Sequence, residues 1–156
     1  MILSNREIKN PKEINEIFNE TLVCNVGTVD GEWPYVLPFN FAWEEPYIYL
    51  HSAMKGKLHD VLALNNRVCL TFSTANEVFY RNKEVACSWG MKYKSIVAFG
   101  RVEYIEAFEE KVRILNLVMK KYSGSDQFNY NSPAINNVCA MRIKIERLTG
   151  KKYGHP

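Results

Sequence analysis

The chain has 156 residues, of which 47% are hydrophobic, 24% charged and 13% aromatic, with a formal net charge of +3. That length suits one domain, able to bury roughly 70% of its unfolded surface without disulfide or metal staples. The apolar fraction excludes disorder, no run approaches the ~20 apolar residues of a membrane span, and the opening MILSNREIKNPKEI lacks the basic-then-apolar pattern of a secretory signal.

Asn10 followed by Pro11 is a helix start, a capping side chain and then proline in the first turn. Ile14, Ile17 and Phe18 mark one face of a short helix over 11–20. Two β-type runs, Leu22–Val29 and Trp33–Trp43, flank Asp30-Gly31, a hairpin signal. A third run, Tyr47–His51, follows the turn Glu44-Glu45-Pro46. Leu58, Val61, Leu62 and Leu64 predict a helix within 55–65, and Val68–Thr74 is another strand. Residues 76–94 are mixed, with Val85–Trp89 as a further strand candidate. Ser95–Ile105 is a long β run whose Gly100 points to a bulge or a close backbone approach. Phe108, Val112, Leu115, Met119 and Tyr122 keep helical spacing, and Ser123-Gly124 ends that helix. After a polar loop, Val138–Leu148 alternates as a half-exposed strand. The tally of six or seven strands and three helices, joined early by a tight hairpin, argues for a mainly β, antiparallel barrel with appended helices.

Charge is uneven: residues 1–78 carry 6 basic and 10 acidic side chains, residues 79–156 carry 14 and 7. The basic half fits an anionic small molecule, a nucleic acid or plain solvent. Its Lys and Arg are interleaved with Glu103, Glu106, Glu109 and Glu110, so nucleic acid is not expected. Cys24, Cys69, Cys87 and Cys139 form no CxxC, and His51, His59 and His155 do not cluster with them. Reduced thiols, a cytoplasmic home and no metal are expected. His59-Asp60 is an isolated pair on the second helix. Glycine-rich phosphate loops and nucleophile elbows are absent from the sequence.

Three segments could carry chemistry. In Pro34-Tyr35-Val36-Leu37-Pro38-Phe39, Pro38 cannot give a ladder hydrogen bond, which fits an ordinary edge strand as well as an edge that pairs with a ligand. In His51-Ser52-Ala53-Met54-Lys55-Gly56-Lys57, a strand end meets a helix start. There free helix N–H groups, the Ser52 hydroxyl and the Lys57 ammonium can converge on a phosphate, or merely cap a helix. Lys94-Ser95 places a cation and a hydroxyl at the entrance of a long strand.

Taken in order, CNVGTVDGEWPYVLPFNFAW (24–43), IYLHSAMKGKLHDVLALNNRVCLTF (48–72), YKSIVAFGRVEYI (93–105) and MRIKIERLTGKK (141–152) carry a resemblance. The sequence resembles the pyridoxamine 5′-phosphate oxidase-like split-barrel flavoproteins, nearest the branch that includes nitroimidazole-resistance proteins. The resemblance implies a six-stranded antiparallel split barrel with about three peripheral helices, forming a homodimer with FMN in clefts at the interface. By the same resemblance, Val36, Leu37, Pro38 and Phe39 line the isoalloxazine, chiefly through their backbone. His51, Ser52 and Lys57 reach the ribityl chain and phosphate, and Lys94 and Ser95 add polar contacts. Gly56-Lys57 stands where the phosphate oxidase proper has an Arg-Lys pair, and the chain ends in GKKYGHP without that enzyme's basic substrate segment. These departures point away from vitamin B6 oxidation.

The implied activity is an FMN-dependent oxidoreductase acting on a small aromatic or nitro-bearing molecule, with NAD(P)H as a candidate donor. The cofactor carries the redox chemistry, so no acid–base triad is needed. His51 is the titratable candidate for catalysis near the ring. The alternative is a non-catalytic module of the same barrel that binds flavin, haem or a deazaflavin.

Overall fold

In the computed structural model, which describes residues 4–155, the chain follows the predicted order with two additions. A short strand β1 (Glu7–Ile8) precedes α1 (Pro11–Glu20), where the Asn10 side chain accepts from the Lys12 N–H at 3.0 Å. The hairpin of β2 (Cys24–Asp30) and β3 (Trp33–Phe39) turns at Gly31, whose φ of 60° suits glycine. Next come β4 (Phe41–Glu44), β5 (Tyr47–Ala53), α2 (Lys57–Leu64), β6 (Arg67–Tyr80) and β7 (Trp89–Ile105). The chain closes with α3 (Phe108–Ser123), α4 (Ser132–Asn136) and β8 (Val138–Tyr153).

All strand pairs are antiparallel, and the sheet runs β3-β2-β6-β7-β8-β5-β4, with β1 added to β8. The fold is therefore the expected mainly β split barrel, with eight strands described rather than six. The predicted run Trp33–Trp43 is two strands that part at Asn40, one pairing with β2 and the other with β5. The two outer strands of the sheet are thus halves of one segment, and the barrel closes through the chain itself.

A tyrosine holds this break. The Phe41 N–H donates to the Tyr122 hydroxyl at 3.1 Å, and that hydroxyl donates to the Leu22 carbonyl at 2.6 Å. Beside it the Lys121 ammonium lies 3.8 Å from the Phe41 ring centroid and donates to the Phe18 carbonyl. Burial pushes the Lys121 amine down to about 8. Phe18, Phe41 and Phe72 interlock edge-on, at 4.8 and 4.9 Å between centroids, and Trp43 stacks on Phe18 at 4.3 Å. Around them Val26, Ile48, Leu50, Leu70, Ile96, Met141 and Ile143 fill the barrel. A second apolar layer, Tyr49, Ala140, Ile114 and Val118, fixes α3 to the outside of β5 and β8.

Where sequence and structure differ, the reasons are local. Val85 and the 3-10 turn Ala86–Ser88 replace the strand candidate there. Asn82 and Ser88 clamp that tip, with the Asn82 N–H donating to the Ser88 hydroxyl at 3.0 Å. Strands β6 and β7 continue past their predicted ends as an arm, pairing Glu77–Tyr80 with Trp89–Lys92 beyond a bulge at Thr74/Glu77. Helix α4 carries the same start signal as α1, since the Asn131 side chain accepts from the Ala134 N–H at 2.8 Å and Pro133 follows. The four cysteines are free, and no helix among the described residues is long and apolar enough to cross a membrane.

The reading of Gly100 holds: the β7–β8 register shifts there, and a Cβ would strike the Lys144 carbonyl oxygen and lie 2.7 Å from Ile143 Cγ2. Gly100→Ala is expected to destabilise the protein by about 1–3 kcal/mol, seen as a lower urea midpoint at unchanged slope.

Candidate functional site

Along β3, Tyr35, Leu37 and Phe39 pack against the barrel core, whereas Val36 is 56% exposed and Pro34 and Pro38 face outward with it. The Thr28 hydroxyl donates to the Tyr35 carbonyl from β2 at 3.1 Å, so that carbonyl turns toward β2. By the two-residue period, the polar backbone groups of Pro34, Val36 and Pro38 turn to the free edge. Two of those three residues lack an N–H, which is how an edge strand avoids unwanted pairing. The Val36 N–H and three carbonyls remain available.

The register extends this strip across the sheet. Val36 stands in one row with Gly27, Cys69 and Phe99, and Pro38 in the next with Asn25, Thr71 and Val97. Gly27 leaves a dent, and a cavity of about 430 Å³ opens there, lined by Val36, Cys69 and Phe99 among others. A cavity of about 470 Å³ lies elsewhere, between α1, the β4–β5 turn and β8. It contains none of the predicted site residues.

His51 and Ser52 sit at the end of β5, just past the last β4 pairing, Phe41 with Leu50. The chain has turned away into β3 at that level, so His51 stands at the split of the barrel. His51 Nδ1 is buried with no hydrogen-bond partner, alone in this among the buried side-chain polar atoms of the described residues. Burial lowers the His51 pKa from its ordinary 6.5. The Ser52 hydroxyl donates to the Ala53 carbonyl at 3.0 Å and lies 3.2 Å from His59 Nε2.

Helix α2 starts from Gly56, whose φ of 147° strains any residue with a Cβ, and no side chain caps its first N–H groups. Those donors and the macrodipole favour an anion. Lys57 extends from this first turn to Asp30, 2.5 Å away, with its ammonium 5.2 Å from the Tyr35 ring centroid. The hydrogen bond to Asp30, foremost, raises the Lys57 pKa. Lys57 thus bridges the β5–α2 turn to the β2–β3 hairpin. Sequence reasoning missed Asp30 as its partner, because a turn aspartate carries no sign of which cation will fold against it.

Lys94 is placed differently. Its ammonium lies 3.4 Å from Glu13 of α1, which also takes Lys152 at 3.1 Å. Ser95 lies on the outward face of β7, and its hydroxyl donates to the Lys151 carbonyl at 3.4 Å. Within one copy Val36, Pro38 and Ser95 share the outer face of the sheet, His51 and Ser52 end β5, and Lys57 opens α2 and reaches the β2–β3 hairpin. Lys94 turns toward α1. Among the described residues no group of three or more His, Cys, Asp or Glu side chains could hold a metal ion.

A family model described as pyridoxamine 5′-phosphate oxidase matches residues 10–152, which is nearly the whole barrel. The chain belongs to the pyridoxamine 5′-phosphate oxidase family. Among solved structures, this family member is similar to a candidate 5-nitroimidazole antibiotic resistance protein from Bacteroides thetaiotaomicron. Their identity is 37% over 94% of this chain and 86% of that one, with a TM-score of 0.83. The flavocytochrome Anf3 from Azotobacter vinelandii shares the fold at 20% identity, over 96% of this chain and 70% of its own, with a TM-score of 0.81. So does the FAD and heme binding protein from Mycobacterium smegmatis, at 14% identity over 96% and 74%, with a TM-score of 0.84. No curated protein matches the sequence.

For a pyridoxamine 5′-phosphate oxidase family member with a buried neutral histidine, acid should be costly. The unfolded His51 binds a proton as pH falls through 6.5, while the native ring resists it. Wild-type protein should therefore lose stability between pH 7 and about 5.5 more steeply than His51→Gln does, measured as urea midpoints at the two pH values. Parallel curves for the two proteins would refute this.

Proposed function

We propose that this chain is an FMN-dependent oxidoreductase acting in the cytoplasm on a small aromatic or nitro-bearing molecule, with NAD(P)H as electron donor. The observation that carries the reading is the partnerless His51 Nδ1 at the end of β5, just past the last β4 pairing. A flavin mononucleotide has a flat ring with donors and acceptors on one edge, a polar chain and a terminal phosphate. The residues present fit each part. The free edge of β3 offers the Val36 N–H and the carbonyls of Pro34, Val36 and Pro38 to a ring edge, while Leu37 and Phe39 anchor the strand in the core. His51 ends β5 with its Nδ1 unpartnered, and Ser52, the α2 N-terminus and Lys57 supply donors suited to a phosphate.

The bound flavin would supply the two-electron chemistry. The protein's part is to bind and orient it, and His51 Nδ1 is the atom at which a hydrogen bond or a proton can be exchanged at neutral pH. Asp30 holds Lys57 extended toward the site before any ligand arrives, which lowers the entropy lost on binding and also competes for the cation.

A second copy of the chain is the proposed partner. Val29, Val36, Val78, Trp89 and Met91 are each at least 43% exposed. Through the β6–β7 pairing, Val78, Trp89 and Met91 carry the outward strip of β7 onto the arm. An exposed apolar strip of this extent suits an isologous dimer contact, and Ser95 of each copy, on the same outer face, would then stand at the shared cleft.

The visible spectrum of the purified protein tests the reading. Flavin bands that bleach with NAD(P)H are expected; no flavin and no uptake of added FMN would end it, and a haem band would favour the binding-module alternative. Lys57→Ala should weaken FMN on the order of tenfold while sparing riboflavin. Asp30→Asn should shift FMN affinity the opposite way, since it frees the ammonium. Both are read by quenching of flavin fluorescence.

A further inference from the structure

His59 has no part in the reading above, yet its ring organises the end of β5. It projects from the first turn of α2 with Nε2 2.8 Å from the Ala53 carbonyl oxygen and 3.2 Å from Ser52 Oγ. On the other side, Nδ1 lies 3.0 Å from the Tyr104 hydroxyl of β7. Ser52 faces Cys139 across the β5–β8 ladder, and its hydroxyl donates to the same Ala53 carbonyl at 3.0 Å.

Proton positions follow from chemistry. A carbonyl oxygen only accepts, so the nitrogen 2.8 Å from it carries the ring proton. In the neutral ring Nδ1 is then bare and accepts from Tyr104. This tautomer excludes a serine nucleophile activated by histidine, because the nitrogen facing Ser52 already holds a proton and cannot take another.

The arrangement instead fixes an oxygen. The Nε2–H is within reach of Ser52 Oγ as well as of the carbonyl, so Ser52 can turn its own proton away from Ala53 while its oxygen stays anchored. That proton is then free for an outside acceptor beside the start of α2, whose first N–H groups no side chain caps.

We propose that His59, steadied by Tyr104, is a positioning residue that presents the Ser52 hydroxyl to a phosphate monoester. The role rests on the flavin reading and extends it to a residue that touches no ligand. FMN and riboflavin differ only in the phosphate, so their separate dissociation constants isolate the effect. His59→Ala should weaken FMN about tenfold and riboflavin less than about twofold. His59→Gln, whose amide N–H can also bond the Ala53 carbonyl, should recover most of the FMN affinity. Tyr104→Phe should give a smaller loss with the same selectivity. In a Ser52→Ala background, His59→Ala should add nothing, because both act through one hydroxyl.

Equal losses for both flavins, or additive losses in the double variant, would overturn the positioning role and leave the flavin reading standing. Wild-type protein that binds neither flavin would overturn both. Wild-type protein that binds riboflavin as tightly as FMN would overturn the phosphate site alone, and His59 with it.

Discussion

The structure depends on one strand that changes partners at Asn40. Residues before it pair with β2 and residues after it pair with β5, and β3 and β4 are the two outer strands of the sheet. A sheet with two free edges invites pairing with another chain. Here the edges belong to one segment, so the backbone itself closes the barrel. The break leaves the Phe41 N–H without a strand partner, and Tyr122 satisfies it while bonding the Leu22 carbonyl. A buried donor left unpaired costs about 1–3 kcal/mol, so this clasp from the last turn of α3 is part of the closure.

The same break creates the candidate site. Because β4 stops pairing at Leu50, His51 and Ser52 keep β8 on one side and have no strand on the other, and α2 starts just beyond them. The helix dipole and uncapped N–H groups place positive potential at this opening, while the Lys57 ammonium of the same helix turn is held by Asp30. It is local placement that matters, since Lys57 comes from the acidic half of the chain. The basic half spends its charge in pairs such as Arg142 with Glu103, Arg113 with Glu110 and Glu44, and Lys94 with Glu13.

Much of the fold was legible because its signals are local. The Asn10-Pro11 start, the hairpin at Asp30-Gly31, the helical spacing from Phe108 to Tyr122 and the Gly100 bulge each follow from a few neighbouring residues. The Asn131 cap was equally local, and its likeness to Asn10 was the signal that could have located α4. The arm was harder to read. Val78, Tyr80, Trp89 and Met91 alternate within polar sequence, and only the pairing of the two runs makes them strands.

By itself the sequence determined the antiparallel β class and the element order, because these depend on periodicity, turn chemistry and side-chain type. Tertiary structure alone decided that Trp33–Trp43 breaks at Asn40, that Lys57 folds onto Asp30 and Lys94 onto Glu13, and that His59 bridges Ser52 and Tyr104. Each of those is a contact between residues distant in the chain or a choice between competing partners. Charge and hydrogen-bonding capacity are written in the residue type, but the partner is set by which backbone segments the closed barrel brings within 3 Å or so.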